Sequence, residues 1–148
     1  MLYLFTLDTN TDGIRFSTLT ESRWSRLGIV PHSQALNSPC AVVWQDHLCL
    51  LIRGKGDLLF QNTFDGHAFT GWTEFIGGGV SRSTPAAVVC QSHLHVFVHG
   101  HDGSIWHNIF DGAVTGWLEV PGMQYQYLFI SKCVWLHLGL DLCLYTQE

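Results

Sequence analysis

One stretch of this chain is written twice. PCAVVWQDHLCLLIRGKGDLLFQNTFDGHAFTGWTEFIGG begins at Pro39, and PAAVVCQSHLHVFVHGHDGSIWHNIFDGAVTGWLEVPG begins at Pro85. The copies align without a gap from Pro39/Pro85 to Gly66/Gly112, and after a one-residue deletion they resume at Thr70/Thr115. A fixed period of about 45 residues, with several strand-sized apolar runs and a Gly-Trp near its end, is the pattern of a β-propeller blade. A blade cannot bury both of its own faces. The repeat therefore constrains architecture, assembly and the place of any site together.

Within the second copy the strands read one by one. Ala86–Cys90 is a continuous apolar run after Pro85, suited to an inner strand covered on both faces. Gln91-Ser92 is a polar turn, and Leu94–Val98 is a second apolar run ended by Gly100 and Asp102-Gly103. Ser104–Phe110 follows, then the tight turn Asp111-Gly112, then an outer strand Gly116–Val120 closed by Pro121-Gly122.

The same grammar extends weakly in both directions. Leu2–Leu7, Ile14–Leu19 and Trp24–Leu27 match strands two, three and four, with no innermost strand before them. Leu128–Ile130, Val134–Leu138 and Leu142–Tyr145 match the first three strands. The expected fold is all-β: blades of four antiparallel strands, two full ones (about 38–80 and 84–122) flanked by two partial ones. As one domain over 1–148 it divides into a partial blade 1–36, blades 37–82 and 83–123, and a partial blade 124–148. Propellers close with about four to eight blades, so open ends call for a second identical chain to complete the ring, or for a longer gene product.

Composition narrows the function classes. Charged residues are 13% and hydrophobic ones 47%, which excludes intrinsic disorder. Net charge is −5 and the lysines are Lys55 and Lys132 alone, so no basic stripe exists to neutralise nucleic-acid phosphates. No apolar run approaches the roughly 18 residues of a membrane span. The start, MLYLFTLDTN, reads as a strand and not as a signal peptide, giving an expectation of a cytoplasmic protein or one released without a leader. Five cysteines without CxxC spacing fit reduced thiols better than a disulfide framework.

The wording Pro-Ala-Ala-Val-Val, Leu-His-Val-Phe-Val-His-Gly-His-Asp-Gly-Ser-Ile-Trp-His-Asn, Phe-Asp-Gly and Thr-Gly-Trp resembles the blade of bacterial seven-bladed propeller lectins of the fucose-binding PLL type. The resemblance covers 38–122 and is degenerate outside it. Arg53-Gly54 and Gly77-Gly78-Gly79 keep the family's wording, whereas His99 and Pro121-Gly122-Met123 depart from it. It implies sugar binding in pockets between blades, without a metal, cofactor or catalysis.

Several residues are candidates for such pockets, each with a plainer alternative. Trp72 and Trp117 offer an indole platform to a sugar's apolar face, or wedge between blades as core. Phe60 with Asn62, and Trp106 with Asn108, share a sheet face at two-residue spacing. One stacks while the other hydrogen-bonds hydroxyls, unless both simply pack the blade. Arg53 presents a fork of donors, or ends its strand in solvent. His93, His95, His99 and His101 form a dense run, but Gly100 breaks it, and solvated or packed histidines explain it better than a metal.

Asp65-Gly66 and Asp111-Gly112 are turn chemistry. Asp102-Gly103 resembles the aspartate box of sialidase propellers but lacks the residue between Asp and Gly. Glu74 and Glu119 sit at equivalent positions and cannot readily take the two different roles that glycoside hydrolysis needs. The reading is a non-enzymatic lectin for small saccharides, fucose-like or O-methylated by analogy, with glycoconjugates and a second copy of the chain as partners. The alternative is a propeller scaffold for protein interaction without sugar binding.

Overall fold

In a computed structural model of the chain, residues 1–111, 113, 115–124, 133–137 and 141–145 are described. They form antiparallel β-sheets with a single short 3-10 turn, Lys55–Asp57. The first sheet holds β1 (Leu2–Asp8) and β2 (Gly13–Thr20), with β3 (Arg23–Trp24) and β4 (Gly28–Ile29) both along the outer side of β2. The second runs in order β5 (Cys40–Trp44), β6 (His47–Arg53), β7 (Leu59–Phe64), β8 (Thr73–Glu74). The third runs β9 (Ala86–Cys90), β10 (His93–His99), β11 (Ser104–Phe110), β12 (Leu118–Gln124). A two-stranded sheet, β13 (Cys133–His137) and β14 (Asp141–Tyr145), follows. Among the described residues no helix is long and apolar enough to cross a membrane.

The repeated wording produces repeated geometry. Hairpins β5–β6 and β9–β10 close on the two-residue turns Gln45-Asp46 and Gln91-Ser92, all four residues having positive φ. That twist matches the twist of the flanking strands. Asp65 Oδ1 accepts from the amides of His67 and Ala68, each at 2.8 Å, and Asp111 Oδ1 from that of Ala113 at 3.2 Å, so both act as turn residues.

Strand β6 shows why the middle of the chain is so apolar. Cys49, Leu50, Leu51 and Ile52 are all buried in succession, which happens only when both faces of a sheet are covered. Leu50 and Ile52 join Ile14, Val30 and Ala35 against the first sheet, with Phe60 and Trp72 alongside. Leu51, Leu59 and Phe75 join Leu94, Val96 and Val98 of the third sheet, with Trp106, Phe110 and Trp117 alongside. The core thus lies in the seams between blades. Inner strand β5 lies beside β9, and β9 beside β13, as strands around a propeller axis do.

Three sequence expectations change. The outer strand expected at Trp24–Leu27 is split into β3 and β4, because Ser25 takes over the ladder: its hydroxyl accepts from the Thr18 amide at 2.9 Å. The outer strand of the third sheet starts later than Gly116 and runs through Pro121-Gly122 to Gln124. It is paired on one side only, so proline forfeits no ladder bond there. Its register slips between Ser104 and Trp106, and the extra residues bring Val120 and Met123 over Ala86 and Ile105. Finally, the run expected at Val134–Leu138 as a second strand is β13, which takes an innermost place beside β9. The strand expected at Leu128–Ile130 lies outside the described residues.

Candidate functional site

The seam between the second and third sheets opens at one end into a cavity of about 340 Å³. Two indoles, Trp106 and Trp117, wall it, with Val80 and Val98 beside them. Gly79 and Gly100 line it, and His101 and Asp102 stand at its polar side.

Each indole packs close against a glycine. A Cβ on Gly100 would come within 2.8 Å of Trp106, and one on Gly79 within 2.8 Å of Trp117. Gly79 reaches this seam because the ladder of the second sheet skips from Phe60–Glu74 to Leu58–Val80, passing the glycine run as a loop. Trp117 is then fixed from the far side, its Nε1–H donating to the Gly77 carbonyl at 3.1 Å.

Trp106 is held differently. The loop from Gly100 to Ser104 is closed by the Gly100 amide on the Ser104 carbonyl at 2.9 Å, with Gly103 at positive φ. This turns Asp102 back toward the strand, where its Oδ1 accepts from the Ser104 amide at 3.0 Å. The Trp106 Nε1–H is shared between the two carboxylate oxygens, at 3.3 Å to each. The Ser104 amide, foremost, holds the Asp102 carboxyl below the ordinary carboxylate range against the upward push of desolvation, and the indole adds to it.

A chain of polar contacts crosses the seam at the cavity's edge. His101 Nε2 lies 3.1 Å from Asp57 Oδ2. Asp57 Oδ1 in turn accepts from Arg53 Nε at 2.9 Å and from its Nη2, while Arg53 Nη1 donates to Asn37 Oδ1 at 2.9 Å. Arg53, expected either to hold a sugar or to end in solvent, is half-buried in this network, and Asp57 and His101 stand between it and the cavity.

The remaining expected residues fall elsewhere. Asn62 and Asn108 are 1% and 2% exposed, inside their seams and away from the cavity. Asn62 Oδ1 accepts from the Gly71 amide at 3.1 Å, and Thr115 Oγ1 donates to Asn108 Oδ1 at 3.4 Å, so both pin the loop that carries the following tryptophan. The Nδ2 of each is buried without a hydrogen-bond partner among the described residues. Phe60 packs over Gly54, and Trp72 donates to the Pro31 carbonyl at 3.1 Å, both in the seam with the first sheet. Two cavities near that seam are lined by Thr11, Asp12, Gln34 and Lys55, and by Arg15, Ile29 and His32, and neither of the two is lined by either ring. The structure thus brings Trp106 and Trp117 together, with Arg53 behind them, and leaves Phe60, Asn62, Trp72 and Asn108 out.

Sequence reasoning missed Asp102 and His101 as lining residues, treating the first as a turn signal. One signal was available. Where the second copy has Asp102 and Trp106, the first has Gly56 and Phe60, so at this position the carboxylate is present only where an indole N–H stands to donate to it.

The histidine run disperses over the third sheet. His93 approaches Asp111 at 3.8 Å, and His99 is buried. His95 Nδ1 and His107 Nε2 lie 2.9 Å apart, their rings near parallel, and Phe97 stacks on His107 as well.

No protein-family model matches the chain, and no curated protein sequence matches it. Among solved structures the chain is similar to a fucose lectin from Kordia zhangzhouensis, determined in complex with methyl-fucoside. The TM-score is 0.59 and the identity 14%, over 82% of this chain and 90% of that one. At that identity the likeness is one of fold.

Proposed function

We propose that the chain is a carbohydrate-binding lectin that takes a small neutral saccharide into the cavity between its second and third sheets. The observation that carries the reading is the pair of indoles, Trp106 and Trp117, walling a cavity of about 340 Å³ with His101 and Asp102 at its edge. Aromatic faces stack on the C–H face of a pyranose while a few polar groups select its hydroxyls. A fucose-like or O-methylated sugar places a methyl group against Val80 and Val98. The fold likeness to a fucose lectin supports the reading.

A binding role, not a catalytic one, fits the carboxylates. Glycoside hydrolysis needs one carboxyl raised to act as acid beside one ionised. Asp102 is held ionised by its donors, and Asp57 is engaged by Arg53. Titration of tryptophan fluorescence with methyl-fucoside and L-fucose, beside a glycan array, tests the reading. A saturable change lost in Trp106→Ala supports it, and silence toward every saccharide by folded protein sinks it.

The assembly we propose is a ring completed by a second copy of the chain. Leu2, Leu4, Trp24, Leu27 and Ile29 of the first sheet are each at least half exposed, on or beside the face turned away from the second sheet. The corresponding faces of the next two sheets are buried against the sheet before them. Light scattering after size exclusion should give the mass of two chains. A monodisperse monomer would remove the ring and leave that face to the scaffold reading.

A further inference from the structure

We infer that Asp102 is the positioning residue of this seam: by gripping the Trp106 indole N–H it fixes the ring as the wall on which a ligand stacks. The same grip makes this seam, and not the one at Phe60, the saccharide site. The inference rests on the lectin reading for its ligand, but the grip itself stands on geometry.

An indole at the mouth of an open cavity has several rotamers within reach, and a ligand that stacks on it must first order it. Here the ordering precedes the ligand. Asp102 receives the Nε1–H with both carboxylate oxygens, and its own direction is set by the Ser104 amide. Gly100 completes the seat, since any Cβ there would strike the Asp102 Oδ1 at 2.5 Å as well as the indole. With its only N–H satisfied, Trp106 asks no acceptor of the ligand and offers its π-face alone. The first copy of the repeat lacks every polar part of this device. Gly56 replaces the carboxylate, and Phe60 has no N–H to hold. That ring lies among the apolar side chains of its seam.

The test uses Asp102→Ala and Asp102→Asn, two readouts and the Trp106→Phe variant to assign the indole resonance. In the ligand-free protein the Trp106 Nε1–H signal should move on Asp102→Ala, and move less on Asp102→Asn, which keeps one acceptor oxygen. Affinity for methyl-fucoside should fall roughly tenfold in Asp102→Ala, as expected for one lost charge-assisted hydrogen bond, with partial recovery in Asp102→Asn and both variants still folded at the temperature of the titration. Stoichiometry should be one ligand per chain at this seam.

An indole signal indifferent to Asp102→Ala overturns the grip. A displaced signal with unchanged affinity overturns the positioning role. A wild-type protein with the grip intact that binds no saccharide overturns the lectin reading instead, so the two failures are distinguishable.

Discussion

The indole of Trp117 donates to the carbonyl of Gly77 at 3.1 Å, across the boundary between two blades. Phenylalanine at 117 keeps most of the buried ring and loses this bond, and should lower stability by about 1 kcal/mol. Alanine empties the wedge and should lower it by about 3–5 kcal/mol. Urea denaturation followed by circular dichroism reads both. Equal stability in all three proteins would show that the wedge is not structural.

The glycines of the cavity offer a graded series. Gly100→Ala introduces a pure clash, with the new Cβ 2.8 Å from Trp106. Gly79→Ala adds backbone strain at φ +105 to a clash at the same distance from Trp117. Gly103→Ala meets nothing within 4 Å and has only its φ of +85 against it. We expect losses of about 1–3 kcal/mol for the clashes and about 1 kcal/mol for Gly103→Ala. Only the first two should blunt the saccharide-dependent fluorescence change.

Asn108 separates a structural role from a ligand contact. Asn108→Ala removes the acceptor that holds Thr115, and should cost about 1–2 kcal/mol while lowering saccharide affinity far less than Trp106→Ala does. Isothermal titration beside a thermal melt checks both halves. A large loss of affinity at unchanged stability would return Asn108 to the binding site.

Acid should weaken the third sheet before it reaches the carboxylate range. Burial lowers the tendency of both His95 and His107 to protonate, below the ordinary 6.5 of histidine, with His93 acting further on His95 and His95 on His107. The unfolded chain then binds more protons than the folded one as pH drops below 6.5, so stability present at neutral pH is lost on that descent. Melting temperature should fall between about pH 7 and 5, and His107→Gln should flatten the slope. An unchanged slope in that variant would place the titration elsewhere.

Cysteine chemistry gives a check on the other seam wall. Burial pushes the Cys40 thiol up to about 11, and Cys49 is raised for the same reason. Cys49 should react with a thiol reagent at pH 8 only once the protein unfolds, and Cys40, half-buried, only slowly before then. Rapid labelling of Cys49 in native protein, read by peptide mass, would contradict its burial in β6.

Much of the fold was legible because its determinants are local. Ala86–Cys90 is a strand from its first residue to its last, and Gln91-Ser92 turns as its polarity suggests. Pro121-Gly122 misled because the strand it interrupts is paired on one side only, a fact of the sheet and not of the dipeptide. Two-residue spacing correctly put Asn108 on the face of Trp106 but said nothing of depth along the seam. The cavity opens at the loop end, so Trp106 lines it while Asn108 is sealed one pleat away. Asp57, four residues on, folds back to take the charge of Arg53, and no period in the sequence announces that.

The backward reach of Trp72 and Trp117 has a consequence for synthesis. Trp72 finds its acceptor at Pro31 and Trp117 at Gly77, each in chain made earlier. A nascent chain can therefore make these two bonds on a blade already present, whereas the Trp44 indole waits for the Ser92 carbonyl of the blade that follows, 2.8 Å away once it has folded.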